Sequence, residues 1–334
     1  MMLQHGSTSR RALAVLAGLL VLTGLGVGVH ATHAHAGTRP EWVEPLPGEG
    51  EDLAYEMGRG LRSADRALRH PAVSISVMSF NVCGGVCHRG EVQRTAVYTA
   101  RTAVARNASV VLLQELCYGQ FVRVRSLLAA QGYSGTFAAA SQSAGCAVGD
   151  PQHRTGFGVA VLVRGAVHAR VVKPLPTPAG TEKRLLLGVT ADVGGRSTFV
   201  AVVHLSPSPA AGLQRQLSAL ADYLNPKASR PLIVGGDFNS LPNNPGLGGF
   251  YSAAAGGQGR FIETDEMRTG VAARGGTATF DTAGRKIDYV FLADEWFGHP
   301  RAESLATTMS DHHIYLGTAR IAGGRDRRYA ALRN

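Results

Sequence analysis

Residues 231–245 read PLIVGGDFNSLPNNP. A short apolar run ends in two glycines, an Asp and an Asn follow two positions apart, and the chain passes into turn formers. Such a strand ends in a simple tight turn, or it exists to carry Asp237 and Asn239 on one side of its exit. The rest of the sequence decides between these two readings.

Working outward, strand and helix signals alternate from Val73 onward. VSISVMSF (73–80) and SVVLLQE (109–115) read as strands, and EVQRTAVYTARTAVARN (91–107) and GQFVRVRSLLAAQG (119–132) carry apolar residues at helical spacing. The middle is strand-rich: GFGVAVLVRG, AVHARVVKPL, KRLLLGVTADV and STFVAVVHLS are β-branched runs parted by Gly- and Pro-bearing turns. A helix, AAGLQRQLSALADYL (210–224), leads into the opening strand, and RKIDYVFL and HHIYLGTAR supply two more strands near the end. Strands in pairs with helices between them predict an α/β fold of two packed mixed sheets with helices outside.

Polar residues recur at one kind of place, the end of an apolar strand. Asn81 follows SVMSF, Glu115 follows VVLLQ, His204 ends FVAVV, and Asp237 and Asn239 end PLIVGG; Asp288 sits in KIDYVF, and Asp311 and His312 open the last strand. Each alone is a turn former, a solvated acid or a structural histidine. Together they suit one chemistry. Carboxylate and carboxamide oxygens are hard ligands for Mg²⁺ or Mn²⁺. Hydrolysis of a phosphoester needs a base, a group that spreads phosphoryl charge, and help for the leaving oxygen. A His held by an Asp has a fixed tautomer and a favoured cation.

SFN, LLQE, HLSP, GGDFNS, IDYVF and SDHH, in that order, resemble the successive motifs of the endonuclease/exonuclease/phosphatase superfamily, the fold of pancreatic-type deoxyribonucleases. The resemblance runs from about Val73 to Leu316. It implies a four-layer α/β sandwich with the active site at one edge of the paired sheets. It implies Glu115 as principal metal ligand, with Asn81 and Asp311 near the metal directly or through water. Asp237 would orient or deprotonate the attacking water, and Asn239 would hold the phosphate. His312 would contact the scissile phosphate or act as acid/base, oriented by Asp288. His204 lies where the family places a second phosphate-side residue, and Arg184 loosely matches a family arginine near the phosphate. His313 has no family role and reads as a strand residue.

The termini and cysteines bear on setting. Arg10-Arg11, an apolar stretch from Ala12 to Val29 and the small-residue signature Ala34-His35-Ala36 resemble a secretory signal peptide over residues 1–36, of Sec or twin-arginine type, in preference to an uncleaved anchor. Loss of Arg10 and Arg11 lowers the formal charge from +10 to +8, which favours acidic partners, although the arginines are scattered. Residues 37–70 read as a linker or N-terminal extension, 71–322 as one catalytic domain and 323–334 as a tail. Four cysteines in an exported chain read as two disulfides with three possible connectivities. Cys83 and Cys87 are close enough for a local loop, which leaves Cys117 with Cys146. A zinc site is the weaker reading, because the spacing is not C-x-x-C and no paired histidines follow.

The expected activity is therefore a secreted, Mg²⁺- or Mn²⁺-dependent phosphoester hydrolase, foremost a nuclease on extracellular DNA or RNA. The alternative is a phospholipid phosphodiesterase or phosphatase binding a lipid head group, and Trp296 with Phe297 is the one place for a small membrane-docking loop. A non-catalytic binding module on the same fold is disfavoured because every catalytic position is filled. No protein partner is implied, and a monomer is expected.

Overall fold

The computed structural model describes residues 72–207 and 209–321. The leader, the N-terminal extension and the C-terminal tail inferred above lie outside the described residues. The chain runs β1 (Val73–Asn81), α1 (Gln93–Ala105), β2 (Val110–Cys117), α2 (Tyr118–Ala129), β3 (Tyr133–Gln142), α3 (Ala144–Val148), β4 (Gly156–Arg164), β5 (Val167–Pro174), β6 (Leu185–Val193), β7 (Arg196–His204), α4 (Ala210–Leu224), β8 (Leu232–Asp237), β9 (Phe261–Glu263), β10 (Asp288–Ala293), β11 (Phe297–Leu305) and β12 (Ile314–Ile321). One six-stranded sheet has the order β11-β12-β1-β2-β4-β3 and the other β5-β6-β7-β8-β10-β9. Among the ladders of the described strands, β1/β2 and β7/β8 pair in parallel and the others are antiparallel.

The alternation of each strand explains the layers. Ile75 and Val77 of β1, with Val110 and Leu112 of β2, join the core shared with the second sheet. Their pleat neighbours Met78, Phe80, Val111 and Leu113 face the other way, against Ala96, Ala100 and Ala103 of α1 and Phe121, Val124 and Leu128 of α2. Leu213, Leu217, Leu220 and Leu224, spaced at helical intervals, seat α4 on the opposite side of the second sheet. The result is the expected sandwich of helices, sheet, sheet and helix. The carboxylate of Glu91 accepts from the backbone N–H groups of Gln93, Arg94 and Thr95, satisfying the open donors at the start of α1.

Three strands escape sequence reading. β3 is built from small residues (YSGTFAAASQ) and forms because β4 offers a partner edge. β9 has three residues, and β11 contains Gly298 and Pro300 at a register shift, as edge strands allow. Trp296 is partly buried against the core and Phe297 is fully buried, so neither forms an exposed aromatic hairpin. Among the described residues no helix is long and apolar enough to cross a membrane.

The two glycines of the opening motif are places of close approach. A Cβ on Gly236 would lie 2.0 Å from the Val203 carbonyl oxygen, and its φ of +140° is one that side-chain-bearing residues rarely adopt. Gly236→Ala is expected to cost about 2 to 4 kcal/mol through strain and overpacking. Thermal melts should register this as a fall in Tm of about 5 to 15 °C. An unchanged Tm would mean that β7 and β8 are not packed at this separation.

Candidate active site

The topology brings the polar strand ends together. The parallel pairs β1/β2 and β7/β8 deliver Asn81, Glu115, His204 and Asp237 at their C-terminal ends. β10 runs antiparallel to β8, with Asp288 opposite Asp237 in register, and β12 runs antiparallel to β1, so Asp311 and His312 enter from the same edge. Asn81 Nδ2 donates to Glu115 Oε1 within its own sheet at 3.0 Å, and its bond to Asp237 Oδ2 at 3.2 Å crosses to the other sheet and closes the site. Glu115, Arg184, His204, Asp237, Asn239, Asp311 and His312 line one cleft of about 330 Å³.

Local backbone devices aim these groups. The β2/β4 register shifts between Leu113 and Leu116, and within that bulge Glu115 takes φ +52°, turning its side chain toward the cleft. Asn239 takes φ +48°, with its N–H donating to Asp237 Oδ1 at 2.8 Å and its Nδ2 to Leu205 O at 2.9 Å. Non-glycine residues in the left-handed region store strain that a surrounding structure must hold, a pattern common at functional sites. The carboxamide oxygen of Asn81 accepts from Cys83 N–H at 3.1 Å, so its amide N–H₂ is the end that faces the carboxylates.

The two histidines are placed in opposite electrostatic settings. His312 Nδ1 lies 3.0 Å from Asp288 Oδ2. Burial alone would lower the His312 pKa, but the charge and hydrogen bond of Asp288, with Asp237 and Asp311 behind it, raise it to about 9. At neutral pH this imidazole is a cation with Nδ1–H on Asp288. Arg184 Nη1 lies 2.7 Å from His204 Nδ1, and a guanidinium can only donate. His204 Nδ1 is therefore the acceptor and Nε2 carries the proton. Burial, then the charges of Arg184 and His312, hold the His204 pKa well below its ordinary 6.5. Both Nε2 atoms lie 3.5 Å from Asp237 Oδ2. Burial, followed by repulsion from Asp288, pushes the Asp237 carboxyl up to about 7 against the pull of His312 and the N–H groups of Asn239 and Asn81.

All the residues read from the sequence thus meet at one edge, Arg184 included. His313 turns away, bonding Ser304 and Asp281. Several supporting residues carried no sequence signal. Ser310 Oγ donates to Asn81 O at 2.8 Å and accepts from His312 N–H at 3.1 Å, and Thr279 Oγ1 accepts from Asp288 N–H at 3.0 Å. Glu182 pairs with Arg184 at 3.1 Å, and Phe280 packs on the His312 ring at 4.7 Å between centroids. Behind Asp288 lies a buried cluster in which Lys286 Nζ meets Tyr315 OH at 2.9 Å and Glu263 Oε1 at 3.5 Å. Their partners are 29 and 23 positions away in sequence, beyond the reach of any local pattern.

The donor set fits a divalent cation. Glu115, Asp237, Asp288 and Asp311 converge at one edge with His312, Arg184 and Arg285 as the cations of the cleft, and burial followed by repulsion from Asp288 raises the Asp237 pKa. Asp237, Asp288 and His312 are mutually close enough to hold an ion among themselves. The Asp288–His312 hydrogen bond commits two of these groups to each other. Glu115 and Asp311 remain as oxygen donors, whereas Asn81, expected near the metal, turns its amide N–H₂ and not its oxygen toward the carboxylates. The two pairings of Cys83 with Cys87 and Cys117 with Cys146 are those the spacing suggested, with Cα–Cα distances of 5.3 and 5.4 Å.

The pKa directions carry a sign for stability. His312 is raised above 6.5, so without metal its contribution is full below pH 6.5 and is lost as pH rises through about 9. Asp237, raised above 3.8 to about 7, acts in the same direction over a lower window. In chelator, the Tm of the protein should therefore fall between pH 6.5 and 9, and His312→Gln should flatten that fall. A variant with the same slope would contradict the assignment.

The sequence profile of the endonuclease/exonuclease/phosphatase family matches residues 78–312. No curated protein sequence matches the chain significantly. Among solved structures, the human nocturnin catalytic domain with bound sulfate superposes with a TM-score of 0.61 at 19% identity, over 77% of this chain and 98% of that one. An endonuclease/exonuclease/phosphatase from Beutenbergia cavernae gives 0.57 at 22% identity, over 75% of this chain and 72% of that one. The mannosyl-6-phosphatase Bt3783 of Bacteroides thetaiotaomicron gives 0.53 at 13% identity, over 73% and 99%. With the family's motifs gathered at one sheet edge and its profile spanning most of the described chain, this protein belongs to the endonuclease/exonuclease/phosphatase family.

Proposed function

We propose that the cleft hydrolyses phosphodiester bonds with the help of Mg²⁺ or Mn²⁺, and that the substrate is extracellular nucleic acid. The observation that carries this reading is the buried Asp237 carboxylate, 3.5 Å from one cationic and one neutral imidazole. Glu115 and Asp311 would hold the cation directly or through water, and Asn81, whose amide N–H₂ faces the carboxylates, would orient Glu115. When bound, such an ion draws charge from phosphoryl oxygens and acidifies nearby water.

The chain's own groups divide the remaining work. Asp237, raised to about 7, is matched to accept a proton from attacking water at neutral pH. Asn239 spends one amide N–H on Leu205 and keeps the second for a phosphoryl oxygen. His204, held neutral with its proton on Nε2, donates a hydrogen bond without bringing a competing base. The His312 cation donates to the phosphate or to the departing oxygen, with Asp288 fixing the tautomer.

The nucleic-acid assignment is supported by the net positive charge of the chain, and the export assignment by the leader-like N-terminus together with two disulfides. Trp296 is partly buried against the core, which weakens the lipid-surface alternative. EDTA should abolish activity and Mg²⁺ or Mn²⁺ restore it; full turnover in chelator would refute the metal assignment. Glu115→Ala, Asp237→Ala and His312→Ala should each lower kcat by about 10²- to 10⁴-fold while far-UV circular dichroism stays native. Near-normal rates in any two would refute the roles given. A parallel assay on plasmid DNA, RNA, sphingomyelin and a phosphoinositide tests the substrate. Cleavage of lipid without nucleic acid would overturn the nuclease reading.

A further inference from the structure

The two disulfides occupy matching positions. Cys83 stands two residues beyond Asn81 at the end of β1, and Cys117 stands two residues beyond Glu115 at the end of β2. Their exposures differ. Cys117 and Cys146 are 1% and 0% exposed, sealed with Phe157 in a small cluster of their own. Cys87 is exposed, in the turn that links β1 to α1, and Cys83 beneath it is buried. A thiolate can therefore reach Cys87 Sγ and cannot reach the other bridge in the folded protein. The Cys87 N–H donates to Cys83 Sγ at 3.2 Å, which stabilises negative charge on the sulfur that would leave.

The Asp311 carboxylate faces the same bridge. Ligand atoms of Cys83, Cys87 and Asp311 all lie within 4.8 Å of one another. We propose that opening the Cys83–Cys87 bridge creates a metal site of two sulfurs and one carboxylate, selective for thiophilic divalent ions such as Zn²⁺ or Cd²⁺. The C-x₃-C spacing falls within the range used by zinc sites, and the Cα atoms are 5.3 Å apart. In tetrahedral thiolate coordination the two sulfurs stand about 3.8 Å apart, given Zn–S bonds of about 2.3 Å. Three donors leave a fourth position for water, and the soft sulfur set disfavours Mg²⁺.

The chemistry balances with a dithiol as reductant. One of its thiolates attacks Cys87 Sγ and Cys83 leaves as thiolate. The second thiol then closes on the mixed disulfide, so one S–S bond breaks and another forms. Two electrons and two protons pass to the cysteines. Zn²⁺ or Cd²⁺ then displaces the two thiol protons. The consequence for the catalytic cleft, which alone rests on the function proposed above, is inhibition. The soft ion would claim Asp311, and movement of Cys83 would loosen the N–H that fixes the Asn81 carboxamide.

The test uses the full folded protein under mild dithiothreitol, followed by gel filtration without air. Alkylation and peptide mass mapping should find two free thiols, at Cys83 and Cys87, with Cys117–Cys146 intact and the circular dichroism native. Cd²⁺ titration should then give the ultraviolet thiolate charge-transfer band, saturating at one ion per chain. The band should be absent from oxidised protein and from the Cys83→Ser/Cys87→Ser variant. Asp311→Asn should keep the band but weaken Cd²⁺ binding by about tenfold or more. Equal reduction of both bridges, unfolding on reduction, or no saturable band would each overturn the proposal. An unaltered affinity in Asp311→Asn would remove the carboxylate from the site. None of these readouts depends on turnover, so they stand apart from a failure of the hydrolase reading.

Discussion

Asp237 is a carboxylate taken out of water at the meeting of two sheets, and the rest of the site is arranged around the cost of that burial. It faces Asn81 across the sheets, sits in register with Asp288 and His204 on its neighbouring strands, and receives the backbone N–H of Asn239. None of these partners neutralises it fully, because Asp288 is also acidic and His204 is held neutral by burial and by Arg184. The single cation against it is His312. An environment short of positive charge in this way favours the arrival of a metal ion and of a proton from water, the two events that phosphoester hydrolysis requires.

The division between the histidines follows from what each ring nitrogen meets. A carboxylate at Nδ1 makes His312 an imidazolium, whereas a guanidinium at Nδ1 makes His204 an obligate neutral donor at Nε2. Two identical side chains thereby do different work on the same cleft. Neither assignment depends on the sheets alone; both need the loops that carry Arg184 and the 310–312 turn, with Ser310 and Thr279 holding the backbone of that region.

Much of this is legible in the sequence, for identifiable reasons. β-branched runs alternate strongly enough to mark most strands, and polar residues that interrupt them at their ends stand out as Asn81, Glu115, His204 and Asp237. GG before Asp237 signals close approach, and the Val203 carbonyl 2.0 Å from a would-be Cβ on Gly236 supplies the reason. β3 and β11 do not show, since their small or charged residues form strands only because a neighbouring edge accepts them, and β9 is too short at three residues to carry a pattern. Glu182, Ser310 and the Lys286–Glu263–Tyr315 cluster are equally silent, because their meaning lies in contacts made across the fold. The charge states of His204 and His312 belong to the same category: the sequence names the residues, and the fold names their partners.

The most direct measurement is the pH titration of the histidine ring protons of the metal-free protein by NMR, with His204→Gln and His312→Gln used for assignment. One resonance, absent from His312→Gln, should titrate with an apparent pKa near 9, because the Asp288 carboxylate outweighs the effect of burial on this ring. A second, absent from His204→Gln, should remain neutral until well below pH 6.5. Two histidines titrating together near 6.5 would contradict these assignments, because Asp237 would then lack both the cation and the fixed donor on which the proposed chemistry rests.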